Sequence, residues 1–376
     1  MIRPTLLSLS FLGLTLSSCA LHGDRPVAEI AHQTESNAAR LSRAAMGHIS
    51  NDYPAITATV IRETEVVWDF HKGHETLAGN RDASATTRFN TYSVAKALTG
   101  LAYARLINSG AVSLNTSVAD IAPDLPTHLH QIRIQDLLSH TSGIRHYVSP
   151  NDWIAFAEKR CDSPTEALNY FASDTLLHPP GTQETYSTFA FVLASELLLR
   201  LTDEEDFETA LKKNLGVWAE FELDHAGAQK AQPYLRASRL PELPPNTLPD
   251  DFVASPFASA ECKFGGGGLI MSSQALARVG AALNTGEIIP KPKLKERHQP
   301  WSTASGVVYG GGVQTRTIAG QTVTAFSVSG GAPGGRSVLL VLLEPQLSIA
   351  IAGNVEGVRM EETAWNIAES WMTIQP

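Results

Sequence analysis

The chain has 376 residues, 43% of them apolar, three cysteines and a formal charge of −9. That apolar fraction is ordinary for a globular protein with a sizeable core, and the length fits one large domain or two. The acidic balance argues against a nucleic-acid partner, since there is no basic surplus to neutralise phosphates; the basic run KPKLKERH at 291–298 is too short to reverse this and reads as a solvated loop or helix face.

Residues 1–18, MIRPTLLSLSFLGLTLSS, carry one early cation at Arg3, an apolar run and then small residues. This is the layout of a secretory signal, too short to span a membrane. LSSC at 16–19 resembles a bacterial lipobox, in which Cys19 becomes the lipidated mature N-terminus; Ala20 follows it, not Asp, implying an outer-membrane lipoprotein facing the periplasm. Residues 19–44 are then the lipidated tether, and 45–376 the folded domain. Cys161 and Cys262 remain. An exported protein keeps a disulfide, but the sequence by itself does not bring their Cα atoms together. Neither has a Cys or His at zinc-ligand spacing.

AITATVIRETEVVWDFHKG at 55–73 alternates and is rich in β-formers, so it predicts two strands around a turn at RETE. His71 and His74 close it in a loop with no third ligand in view. From 93 to about 230 the pattern is mainly helical: SVAKALTGLAYARLINSG, RIQDLLSHTSG, PTEALNYFASD, STFAFVLASELLLRLT and DFETALKKNLG. Residues 232–256 are too proline-rich for helix or sheet, which predicts a long surface loop of the kind that forms lids. GGGGLIMSSQALARVGAAL then opens a helix capped by Ser272 or Ser273. In the last quarter QTVTAFSVS, RSVLLVLLE and LSIAIAGN read as strands, and RMEETAWNIAESWM as an amphipathic helix with Met360, Ala364, Ile367 and Trp371 on one face. Strands at both ends around a helical middle predict one α+β domain, its sheet assembled from about 45–92 and 300–376 with helices inserted over about 93–299.

Ser93 and Lys96 form the only Ser-x-x-Lys of the chain and follow the extended TRFNTY. On a helix they share a face, so the amine reaches the hydroxyl. Lysine is a poor base at its usual pKa of about 10.4, but burial and a helix N-terminus disfavour its charge, and a neutral amine takes the serine proton. A serine in the first turn also aims its own N–H at a developing oxyanion. Tyr186, Ser187 and Thr188 stand between a Pro-Gly turn and an apolar helix, where a phenol beside a cation becomes a second proton carrier. In SVSGGAPGGRS at 327–337, glycines at the end of a strand let backbone N–H groups approach a ligand.

These elements in this order resemble the serine β-lactamase and penicillin-binding-protein superfamily, specifically the class C-like branch that also holds D-aminopeptidases, D-Ala-D-Ala carboxypeptidases and family VIII esterases. SVAK matches its Ser-x-x-Lys, YST its Tyr-x-Asn, and VSG stands at its Lys-Thr-Gly or His-x-Gly. LLSHTSGIRHY at 137–147, also similar to mitochondrial β-lactamase-like relatives, and FGGGGLIMSSQALARV complete the resemblance over about 45–375. It implies a β-lactamase/transpeptidase-like fold. It further implies Ser93 as the acylated nucleophile, Lys96 as its base, Tyr186 as proton shuttle, the N–H groups of Ser93 and Gly331 as oxyanion hole, and Thr188, Ser329 and Gly330 as substrate contacts. His140 falls in a structural stretch.

Two positions depart from the pattern. Thr188 replaces asparagine with a shorter group of fewer bonds, and Val328 stands where a lysine or histidine attracts a substrate carboxylate and tunes the tyrosine. The reading is therefore a serine hydrolase of small-molecule or peptide substrates, an ester or an amide with a neutral end, poor on penicillins; Arg336 is the one downstream residue placed to restore a positive charge. The alternative is a tethered binding or scaffold protein that kept the fold and lost turnover. The glycine runs lack a P-loop or Rossmann context, so no cofactor is expected, nor a metal.

Overall fold

The computed structural model describes residues 36–374 except 49–52, 80, 217–218, 226, 241, 243–244, 249–250, 257–259, 291–306 and 357–358. The signal-like segment, Cys19 and the basic run at 291–298 lie outside the described residues. The strands are β1 (Ala55–Arg62), β2 (Glu65–Gly73), β3 (Arg88–Asn90), β4 (Glu222–Leu223), β5 (Tyr234–Arg236), β6 (Phe252–Ala254), β7 (Leu269–Ser272), β8 (Val307–Val308), β9 (Gly311–Ile318), β10 (Gln321–Ala332), β11 (Gly335–Leu342) and β12 (Leu347–Gly353). The helices are α1 (Asn37–His48), α2 (Val94–Ser109), α3 (Val118–Ile121), α4 (Ile134–Leu138), α5 (Pro150–Ala157), α6 (Pro164–Leu168), α7 (Thr188–Thr202), α8 (Phe207–Leu215), α9 (Ser273–Thr285) and α10 (Met360–Ile374).

Seven strands form one antiparallel sheet in the order β2-β1-β12-β11-β10-β9-β8, so the two ends of the chain build it together. β12 is buried at all seven positions, as expected of a central strand covered on both faces. On one face Val338, Leu340, Ile349 and Ile351 meet Leu41 of α1 and Trp365 and Trp371 of α10. On the other, Phe326, Leu339, Val341 and Ala350 join the core of the helical part. Period-two alternation within each strand produces both layers. Helix α2 is buried on every side from Val94 to Ala104, the signature of a central helix. The α+β architecture read from the sequence is the observed one.

Three local expectations change. α1 packs on α10 and belongs to the compact unit that begins at Ser36, so residues 36–44 are folded domain, not tether. Helix α4 stops at Leu138, because His140 takes φ +60 and turns the chain out of the helix. Residues 232–256 are more than a loop. β5 and β6 pair as a short ribbon whose paired residues, 234–236 and 252–254, include no proline, and Tyr234, Leu235 and Ala237 are buried. The backbone N–H of Leu77 donates to Tyr234 Oη at 2.8 Å, and that of Tyr234 to the Asn354 carbonyl at 2.8 Å, pinning the ribbon to the sheet.

Candidate active site

Ser93 owes its position to a sharp turn between β3 and α2. Thr91 donates to the Leu269 carbonyl from both its N–H and its hydroxyl, and its own carbonyl accepts from Ser337 Oγ of β11. The next residue, Tyr92, takes φ +50, a left-handed conformation that a bulky side chain adopts only when its surroundings impose it. Ser93 then occupies the N-cap of α2, yet its hydroxyl makes no capping bond. Instead Ser93 Oγ lies 2.6 Å from Tyr186 Oη.

Lys96, on the first turn of α2, is buried to 1% exposure. Its Nζ donates to Ser93 Oγ at 3.4 Å, to Thr188 Oγ1 at 3.2 Å and, at short range, to the Gly266 carbonyl. Three acceptors match the three protons of an ammonium, which is how a buried lysine is tolerated. Thr188 is thus occupied on Lys96, on the floor of the cleft. The Gly266 carbonyl was not legible in the sequence, since any residue carries one.

Tyr186 is half exposed, with the Lys96 ammonium 4.9 Å from its ring centroid. Burial pushes its phenol pKa up, but the charge of Lys96 and hydrogen bonds with Lys96, Ser93 and Thr188 outweigh it, and the net shift is downward. Two histidines hold this stretch. His140 packs 4.5 Å from the Tyr186 ring and accepts from Ser187 N at 3.3 Å; His146 lies edge-on at 5.2 Å and accepts from Thr188 N at 3.2 Å. Burial, then Lys96, then each other or Lys263 depress them to about 3 for His140 and about 4 for His146. Both are neutral acceptors at neutral pH, so His140 is structural in its contacts, and the sequence reading did not single out His146.

A cleft of about 370 Å³ opens above Ser93, bordered by Tyr186, Thr188, His146, Gly266, Gly267, Gly331 and Ala332, among others. On β10 the cleft is lined by Gly331 and Ala332, beyond Ser327 where the pairing of β10 with β9 ends, so one edge of Val328–Ala332 has no strand partner among the described residues. The missing Cβ of Gly330 permits close approach: a carbon there would sit 2.4 Å from the Thr91 carbonyl oxygen and 2.7 Å from Ser93 N. Gly331 borders the cleft with Ser93, as the oxyanion assignment requires. Ser329 does not. It points to the opposite face of the sheet and lines a separate cavity with Arg316, Arg336, Arg359 and Glu361, because successive strand residues alternate faces. A contact from its side chain to substrate is therefore corrected, and Arg336 likewise lies on the far side and adds no charge to the cleft. Val328 packs against the helical core.

The cleft nevertheless has a second lysine. Lys263 lies in the short 3-10 turn Glu261–Gly266, its Nζ 5.5 Å from the ring centroid of Trp153 on α5. Lys263 and Trp153 both line the cleft. Cys262, beside it, is disulfide-bonded to Cys161 with Cα atoms 5.1 Å apart, resolving the open pairing. No described residue of 232–256 lines the cleft. A larger open groove of about 1130 Å³ lies elsewhere, bordered by Arg88, Lys212 and Glu222; Arg88 pairs with Glu222 and Lys212 with Glu208, and its Ser272 caps α9. Ser93, Tyr186 and Thr188 line the smaller cleft, not this groove.

Residues 36–370 match the family model described as Beta-lactamase. Among curated proteins, the serine β-lactamase-like protein LACTB of human mitochondria is 22% identical over 84% of this chain and 76% of its own. Protein flp of Staphylococcus aureus is 27% identical over 42% of this chain; the match spans only 31% of flp's length. Among solved structures, D-amino acid amidase from Ochrobactrum anthropi superposes with TM-score 0.72 at 16% identity, over 89% of this chain and 100% of its own. EstCE1, described as a hydrolase with promiscuous acyltransferase activity, gives 0.67 at 18%, over 89% and 98%. Fold, the match over nearly the whole described chain and the Ser-x-x-Lys geometry agree: this chain belongs to the β-lactamase family.

Proposed function

We propose that the protein is a serine hydrolase that cleaves a carboxylic ester or amide through an acyl-enzyme on Ser93. The observation that carries this is the closed set Ser93–Tyr186–Lys96, in which one hydroxyl is bonded to both a phenol and an ammonium. Ser93 Oγ accepts from Lys96, so its own proton goes to Tyr186 Oη, whose phenol pKa is already lowered. Tyr186, more than Lys96, is then the base. As Oγ attacks the carbonyl carbon, Tyr186 takes the serine proton and the carbonyl oxygen turns to the N–H groups of Ser93 and Gly331. Tyr186 gives the proton to the leaving oxygen or nitrogen; in deacylation it takes a proton from water as the water oxygen attacks the acyl carbon, then returns it to Ser93 Oγ as the acyl–oxygen bond breaks, which restores both Ser93 and the base. The family match, and neighbours described as a D-amino acid amidase and a hydrolase with promiscuous acyltransferase activity, support this reading.

We also propose that it acts as an exported lipoprotein anchored through Cys19; the Cys161–Cys262 disulfide supports an oxidising compartment.

The test is intact-mass spectrometry of the purified chain after a fluorophosphonate, with Ser93→Ala alongside. A phosphonyl adduct with loss of fluoride, absent in Ser93→Ala, together with turnover of a short-chain p-nitrophenyl ester, is expected. No adduct and no turnover would leave the fold as a binding module.

A further inference from the structure

Among the described residues Lys263 is an ammonium with no hydrogen-bond partner. It is buried to 8% exposure, yet among the described residues its Nζ makes no hydrogen bond and no ion pair; its one polar contact is the face of Trp153. The anion that acts on it electrostatically is otherwise engaged: Asp224 accepts from Lys230, from Asn90 Nδ2 at 3.0 Å and from Ala260 N at 2.8 Å. A buried charge without a partner is costly, and it is tolerated where a ligand supplies the partner. Lys263 lines the cleft that holds Ser93, and the turn that carries it is fixed twice, by the disulfide at Cys262 and by Gly266, whose carbonyl holds Lys96. The β10 residues that line the same cleft, Gly331 and Ala332, offer no charge.

We propose that Lys263 is the specificity-determining cation of this cleft, and that the substrate carries a carboxylate that it receives, with the Trp153 face packing the chain between carboxylate and scissile carbonyl. This rests on the serine-hydrolase reading and names its substrate class. It replaces the neutral-ended substrate expected from Val328: the positive charge of the cleft comes from the glycine-rich turn instead of from β10. The groups that face Lys263 are Lys96 on α2, His146 before α5, Asp224 after β4 and Lys230. Burial, Lys96 and Lys230 lower its pKa against Asp224, to about 8, so the free site is charged at neutral pH and loses its charge above that.

The experiment compares three esters on the purified chain: phenyl pentanoate, monophenyl glutarate (carboxylate on the acyl half) and 3-carboxyphenyl butyrate (carboxylate on the leaving half). At pH 7 one anionic ester is expected to have a kcat/KM at least about tenfold above the neutral one, the scale of a charge-assisted contact. That ratio falls to near one in Lys263→Gln, survives in Lys263→Arg, and declines in the native protein as pH rises through about 8. Which anionic ester responds identifies the half that is held. Fluorophosphonate labelling of Ser93 in each variant shows whether the site is assembled. Titration of the same esters into Ser93→Ala, and into Ser93→Ala with Lys263→Gln, reads binding without turnover, so the proposal stands or falls even if hydrolysis fails. Equal ratios in native and Lys263→Gln protein, or equal affinities for neutral and anionic esters in Ser93→Ala, would overturn it.

Discussion

Ser93 Oγ and Tyr186 Oη are hydrogen-bonded at 2.6 Å across 93 residues of sequence. Lys96 donates to the same Oγ at 3.4 Å, and the proposed base is Tyr186. Removing the phenol should remove the base without disturbing the nucleophile. Tyr186→Phe is expected to lower kcat/KM for a neutral ester by about 10²–10⁴-fold, with folding intact by circular dichroism. Activity within about threefold of native would return the base role to Lys96.

The same contact fixes a pH dependence. A base acts when deprotonated, so kcat/KM for a neutral ester should rise with pH and level off below 10, because the Tyr186 pKa is shifted down. Lys96 supplies the largest downward contribution. In Lys96→Met the residual activity should reach its plateau at higher pH than in the native protein, a displacement readable from initial rates; an unmoved limb would mean that another group titrates.

Gly330 and Gly331 make a paired test of the β10 wall. A methyl at 330 meets backbone at 2.4 and 2.7 Å, whereas at 331 its nearest neighbour is the Arg336 guanidinium at 3.2 Å, the end of a flexible side chain. Gly330→Ala should cost about 1–3 kcal/mol of stability and most of the activity. Gly331→Ala keeps its backbone N–H and should stay active. Denaturant midpoints and ester turnover measure both.

Acid should weaken the fold through the two histidines. In the unfolded chain each takes up a proton near pH 6.5, while in the fold His146 waits until about 4 and His140 until about 3. Between those values the unfolded state holds more protons, so stability falls as pH drops below 6.5, by up to about 1.4 kcal/mol per pH unit for each histidine. His146→Gln should flatten the slope of unfolding free energy between pH 6.5 and 4.

The disulfide joins residues 101 apart. Cys161→Ser with Cys262→Ser is expected to lose about 2–5 kcal/mol of stability, read from the urea midpoint of the double variant. Because Cys262 adjoins Lys263, any preference for anionic esters should fall with it.

Much was legible in the sequence because local rules suffice for it. The alternation of β1 and β10–β12, the apolar run of α2, the Ser272 cap of α9 and the amphipathic stripe of α10 each follow from side-chain period or capping chemistry over a few residues, and so does the placement of Ser93 and Lys96 on one helical face. Motif order brought Tyr186 and the β10 glycines to the site. What stayed hidden depends on which face or which distant segment a residue meets. Ser329 lost its place in the cleft to the alternation of β10, whose phase only the packed sheet sets. The Cys161–Cys262 pairing needed two loops to be brought within 5.1 Å. Lys263 precedes FGGGG in the sequence and belongs to no motif there, and its proposed role as a cation of the cleft arises only when the turn folds beside Trp153. Sequence periodicity decides what a segment is; the net charge and shape of a cleft are sums over segments far apart in the chain, and only the tertiary structure performs that sum.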